Sequence, residues 1–104
     1  MTQKNWNRLS FLEQMSNVDG EVRRLVEVHN NFNTGINETD YSEQYLDKII
    51  KLIKMTIFDP KNASKGYRLI ELNDEVEEIR RYMKDEVDGE YVLRYWDAFS
   101  KAIS

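Results

Sequence analysis

Three observations predict an all-α fold for this chain: an antiparallel four-helix bundle with three long helices and a shorter C-terminal one. Apolar residues recur at spacings of three and four in four separate stretches. No stretch alternates apolar and polar residues with the period of two that marks a half-buried strand. Only four glycines and one proline occur in 104 residues, which leaves little material for tight β-turns or phosphate-cradling loops.

The first helix begins at Ser10. "SFLE" has the form of a capping box, in which Ser10 accepts a backbone N–H and Glu13 reaches back. Met15, Val18, Val22, Leu25, His29 and Phe32 then form one stripe, widened by Leu12 and Val26. Gly20 interrupts it at a cost of about 1 kcal/mol relative to alanine. The stripe stops in "NNFNTGINETD", whose asparagine, glycine and threonine favour turns and caps. Asp40 and Glu43 suggest a second capping box. Tyr45, Leu46, Ile49, Ile50, Ile53 and Ile57 make the next apolar face, with Lys48, Lys51 and Lys54 on the opposite side. "DPKN" ends this helix, because a residue before proline avoids helical geometry. The third helix is expected from about Ser64 to about Lys84, with its seam at Leu69, Leu72, Val76, Ile79 and Met83. The pair Asp88–Gly89 marks a break. The last helix, from about Glu90 to Ile103, places Val92, Tyr95 or Trp96, Phe99 and Ile103 on one side.

The length corresponds to a single helical-bundle domain over residues 1–104. It allows a modest core without a large active-site cavity. The absence of cysteine favours a reducing compartment and excludes a thiolate metal cage. "MTQKNWNRLS" has no apolar run of the signal-peptide kind, and no stretch approaches the roughly 20 apolar residues of a membrane span. A cytoplasmic protein is expected, with no membrane partner. A net charge of -4 is the opposite of a general nucleic-acid binder's.

Three stretches resemble a family of small helical bacterial and archaeal proteins. "WNRLSFLEQMSNVDGEVRRLVE" matches its Trp-Asn, Leu-Ser, Glu-Gln and Glu-Val pattern; "MTIFDPKN" matches an apolar helix end running into Asp-Pro-Lys-Asn; and "YRLIEL" matches its Arg-Leu-x-Glu-Leu block. The resemblance implies a helical fold and lends no activity. The chain departs from the pattern at "NVDGEV", in its long second connection, and in having a histidine at position 29.

That histidine, the only one, lies in "RRLVEVHN". Arg24, Leu25 and His29 fit the spacing Arg-φ-x3-His, which resembles the signature of HEPN ribonucleases. There the arginine and histidine of two protomers line a dimer cleft and assist attack by a ribose 2′-hydroxyl. An imidazole titrating near neutrality and a guanidinium beside phosphate suit that chemistry. The competing reading is a seam histidine near the helix C-terminus, where a positive charge suits the dipole.

Other constellations are thinner. A di-iron bundle site needs Glu-x-x-His on two helices, and this chain has one histidine without a glutamate three before it. Glu71, Asp74, Glu75 and Glu78 share one helix and suggest a carboxylate-only magnesium site or a solvated acidic face. No cofactor or metal is expected. Lys48 to Arg68 carries six basic residues and one acidic; Glu71 to Glu90 carries nine acidic and three basic. This asymmetry is first of all what the solvated faces of an amphipathic bundle give; it also suits helix pairing, head-to-tail contact between protomers, or a charged partner. Aromatics gather at Trp6, Phe11, Tyr91, Tyr95, Trp96 and Phe99, more than one helix face can hide at the C-terminus. One of the pairs Val92/Trp96 and Tyr91/Tyr95 should lie partly outside the core.

The sequence thus favours a non-catalytic protein-interaction or assembly module. Its expected partner is itself, as a homodimer, or another protein, with Trp6, Tyr91, Tyr95 and Trp96 as the candidate interface. The alternative is a HEPN-like ribonuclease or nucleic-acid-binding bundle using Arg24, His29 and the basic stripe.

Overall fold

A computed structural model describes residues 1–103, with side chains through residue 101. The seam position expected at Ile103 lies outside the described side chains. The elements are α1 (Gln3–Asn7), α2 (Phe11–Asn33), α3 (Ser42–Phe58), a 3₁₀ turn (Pro60–Lys65), α4 (Gly66–Met83) and α5 (Gly89–Ile103). No strand occurs among the described residues. The four long helices are those the apolar spacing predicts.

Each start and stop has a chemical cause. The capping box at the head of α2 is present in both halves, with Ser10 accepting from the Glu13 N–H and the Ser10 N–H donating to Glu13. The short α1 is closed by Thr2, which accepts from the Asn5 N–H. At the far end of α2, Gly35 takes φ 80° and donates to the Phe32 carbonyl, while Ile36 donates to Asn31. This pair of bonds is a Schellman closure with glycine in its usual left-handed place. The expected capping box at Asp40 and Glu43 does not form. α3 starts at Ser42 with no side-chain cap, because Asp40 spends one oxygen on the Ser42 N–H and the other on His29. Before α4, Pro60 opens a 3₁₀ turn, and Asp59 accepts from the Lys61 N–H, so the α-helix begins at Gly66. At α5, Asp88 accepts from the Tyr91 N–H, and Gly89 opens the helix.

Four helices form a ring in which α2 packs on α3 and α5, and α4 packs on the same two from the other side. The chain runs up, down, up and down, over 43 × 25 × 24 Å. Met15, Val18, Val22 and Leu25 from α2 meet Leu46, Ile49 and Ile53 from α3 in the core, with Leu72 and Ile79 from α4 and Val92 and Trp96 from α5. Two expected seam residues, Leu12 and Phe32, are exposed. They stand on the first and last turns of α2, where fewer neighbours reach.

Polar groups tie the ends together. At one end Trp6 donates its indole N–H to Thr56 at 3.0 Å, and Gln14 donates to the Trp6 carbonyl and to Asp59 at 2.7 Å. Asn62 donates to Gln14 and to the Thr56 carbonyl, both at 2.9 Å. Gln14, Thr56, Asp59 and Asn62 are all buried, so these bonds must be made inside the protein for the corner to close. Lys61 completes it by pairing with Asp59 and donating to the Asn7 carbonyl. The stretches around Trp6 and around Asp59 therefore meet in space, about fifty residues apart in sequence.

Candidate functional site

His29 is the last buried residue of α2 and is only 2% exposed. Its Nδ1 is 2.8 Å from Asp40 Oδ2 and its Nε2 is 2.9 Å from Asp85 Oδ1. Tyr82 presses on the ring edge-on, with centroids 4.8 Å apart, and donates its hydroxyl to the Val26 carbonyl. Three segments of the fold thus converge on one imidazole: the end of α2, the loop into α3, and the end of α4.

The electrostatics follow from the acceptors. A carboxylate cannot donate, so facing one at each nitrogen requires both ring nitrogens to carry hydrogen, which is the imidazolium. Burial by itself pulls the His29 pKa down, but the hydrogen bonds to Asp85 and Asp40 and their charges outweigh it and hold it above the ordinary histidine value. Asp40 is pushed up by burial and held lower overall by Ser42 and His29. His29 and Asn33, through their hydrogen bonds, lower Asp85. Burial, then the charges of Asp85 and Asp40, push the Tyr82 hydroxyl up to about 12.

Asp85 bears a backbone cost for this contact. It has φ 60°, the left-handed region, and occupies the position after α4 that Gly35 occupies after α2. The bonds are again those of a Schellman closure, from Asp85 to Tyr82 and from Glu86 to Arg81. Glycine fits that conformation more easily. A side chain is present there because it reaches His29 and also accepts from Asn33 at 2.8 Å.

Chemically, the arrangement is a brace. Both nitrogens are engaged by carboxylates, so the protonated ring has no free lone pair to take a proton or bind a metal, and it is sealed from solvent. Arg24 is not part of it. Five residues along a helix rotate the side chain by roughly 140° from His29, and Arg24 pairs with the buried Glu21 at 2.7 Å. Glu21 also receives Lys48 from α3 at 3.0 Å. The neighbouring Arg23 links Asp19 to Asp97 of α5. Sequence spacing put Arg24 and His29 in one motif; the fold sends them to different neighbours.

Two of the four carboxylates on the acidic face of α4 are paired. Glu71 accepts from Arg68 and from the Tyr95 hydroxyl, and Glu78 from Arg81. Half-buried Glu75 has its carboxyl pushed up to about 7 by burial, then by the charges of Glu78, Asp74 and Glu71. Tyr95 is raised by burial and then by Glu71. Among the described residues no group of three or more histidine, cysteine, aspartate or glutamate side chains is placed to hold a metal ion.

Of the aromatic residues expected at an interface, Trp6 and Trp96 are buried in the core of the single chain. Tyr95 is half-buried against Trp96 and Phe99, while Tyr91 is exposed. Val92/Trp96 is therefore the inner pair and Tyr91/Tyr95 the outer one. Lys51 and Lys54 are exposed on α3, as is Lys48 beside Glu21. Sequence reasoning missed two surfaces. One is an open groove of about 640 Å³ next to the His29 brace, where half-buried Val26, Val87 and Leu93 lie beside exposed Glu27, Glu86 and Asp88. The other is the corner between α3 and α4, where Phe58, Tyr67 and Ile70 stand 73%, 77% and 63% exposed. An apolar residue off the stripe was the available signal for the second.

Comparison with protein-family models, with curated proteins and with solved structures finds no match to this chain. Among the described residues no helix is long and apolar enough to cross a membrane.

Proposed function

We propose that this chain is a non-catalytic protein-association module whose contact surface is the corner where α3 ends and α4 begins. The observation that carries the reading is the exposure of Phe58, Tyr67 and Ile70 there. Tyr67 and Ile70 are one helical turn apart on the outer face of α4, and Phe58 ends the adjoining helix. Large apolar side chains gathered in the open are the usual mark of an interaction site. Homodimerisation is part of the proposal, with this corner as the contact surface of one copy, because the indoles of Trp6 and Trp96 are already packed inside. Membership of the small bacterial and archaeal helical family is proposed too, supported by the way its Trp-Asn and Asp-Pro-Lys-Asn stretches bond to each other.

The ribonuclease-like alternative asks for Arg24 and His29 in one open cleft, and this geometry lends it no support. Sedimentation equilibrium tests the two together. The wild type should show a mass rising above the 12.5 kDa of the monomer with concentration, and Phe58→Ser/Tyr67→Ser/Ile70→Ser should abolish the rise. A constant monomer mass would overturn the reading. So would RNA cleavage that Arg24→Ala and His29→Ala each remove.

A further inference from the structure

The fold sorts charge between its two ends. Residues 1–13 and 54–70 meet at one end, through Trp6–Thr56 and Lys61–Asn7, and carry six basic and two acidic side chains, a net of +4. Residues 27–47 and 78–90 meet at the other, through His29, Asp40 and Asp85, and carry ten acidic side chains against three basic ones and the His29 cation, a net of -6. Each end also offers apolar surface, in opposite forms. The basic end presents the projecting Phe58, Tyr67 and Ile70. The acidic end presents the 640 Å³ groove, with Val26, Val87 and Leu93 beside Glu27 and Glu86.

We infer that the basic corner of one copy of this chain docks on the acidic groove of another. The inference rests on the reading of the corner as an association surface and supplies its occupant. Sign and apolar content both match between corner and groove. Corner against corner, or groove against groove, would oppose like charges, which disfavours those contacts by several kcal/mol. A second copy is thus a partner with the required chemistry, and the arrangement that pairs opposite ends is the one electrostatics favours.

The size of the ends sets the strength. A cross-section of 25 × 24 Å limits burial to about 600 Å² per copy, near the lower edge of specific interfaces. The association is therefore weak and salt-sensitive, since contacts between exposed charges are screened within about 10 Å at 0.1 M salt.

Charge reversal tests it in full-length protein by sedimentation velocity at low and high salt. Lys54→Glu/Lys65→Glu cancels the net charge of the basic end; Glu27→Lys/Glu86→Lys takes four units from the negative charge of the acidic end. All four residues are exposed, and unchanged circular dichroism confirms that each variant folds. Each variant alone should associate at least about tenfold more weakly than the wild type, as the loss of about 1.4 kcal/mol implies. An equimolar mixture of the two should recover association, because each supplies the end that the other now lacks. Raising the salt should dissociate the wild type. Association kept by both variants alone, yet lost in the Phe58, Tyr67 and Ile70 serine variant, would overturn this pairing and leave the corner as an association surface. A mixture that stays monomeric while the wild type associates would also overturn it. A wild type that stays monomeric but binds a single-stranded oligonucleotide, with binding lost in Lys54→Glu/Lys65→Glu, would overturn both and give the corner to nucleic acid.

Discussion

Replacing His29 with alanine should destabilise the protein by an amount that depends on pH. The substitution empties the ring space beside Tyr82 and removes both carboxylate hydrogen bonds. Asp85 is mostly exposed and rehydrates, so its bond is left out of the sum. The bond to the better-shielded Asp40 is charge-assisted and contributes about 2 kcal/mol. Lost packing adds about 1 kcal/mol. The total, about 3 kcal/mol, corresponds to a fall in Tm of roughly 10–20 °C for a domain of this size. The sign with pH follows from the shifts. His29 is raised in the folded state, so its contribution is full below the unfolded value near 6.5 and is lost as pH rises through the higher folded value. Asp40 and Asp85 are lowered, so theirs is full above about 3.8 and is lost as pH falls through the folded values. Wild type and variant should differ most between about pH 4 and 6.5 and converge toward about 1 kcal/mol at pH 9. Urea unfolding followed by the fluorescence of Trp6 and Trp96 measures this. A difference equal at pH 5.5 and pH 9, or below about 0.5 kcal/mol at both, would refute the brace.

Three further perturbations probe the rest of the frame. Asn62→Ala removes the donor to Gln14 and to the Thr56 carbonyl inside the buried corner; denaturant melts should show a loss of about 2–4 kcal/mol, and a loss under about 1 kcal/mol would mean the network is dispensable. Glu75→Gln should stabilise the protein at pH 8 and do little at pH 4. The folded carboxyl, raised to about 7, makes the wild type lose stability as pH climbs from the unfolded value toward it; solvent screening at this half-buried site holds the gain to about 1 kcal/mol in thermal melts. An equal effect at both pH values would count against the assigned cause. Gly89→Ala places a Cβ 2.8 Å from Val26 Cγ1, so it should cost about 1–3 kcal/mol, and adding Val26→Ala should recover part of it. Independent, additive effects in that double-mutant cycle would show the two residues do not touch in solution.

The helices were legible because a stripe of apolar residues at helical spacing has one physical meaning, burial on one side. Ser10 and Glu13 announced the start of α2 for the same local reason. Legibility failed where a polar residue had a distant partner. Gln14 and Asn62 look like surface residues in sequence, yet each is buried because the other is there. Asp40 looked like half of a capping box, but its carboxylate divides between the Ser42 N–H and His29. Asp85 gave no signal at all, since its partner is 56 residues away and its left-handed backbone appears only in three dimensions. His29 lies on the seam of α2, as its spacing indicates, whereas Arg24 faces another side of the helix and pairs with Glu21. The association surfaces were hidden for a related reason: the charge excess of Lys48 to Arg68 was visible, but not the sorting of charge by bundle end, which depends on the up-down path of the chain.

The protonation state of one imidazole tests the account most directly. The brace holds His29 between Asp40 and Asp85 as a cation, and the chain has no other histidine to overlap its ring signals. Nitrogen-15 NMR of the imidazole at about pH 7 should show both ring nitrogens protonated, with a titration midpoint above the ordinary histidine value and cross-peaks that vanish in His29→Ala. A neutral ring at that pH, with one bare nitrogen and a midpoint at or below the ordinary value, would contradict the brace and return His29 to the list of available bases.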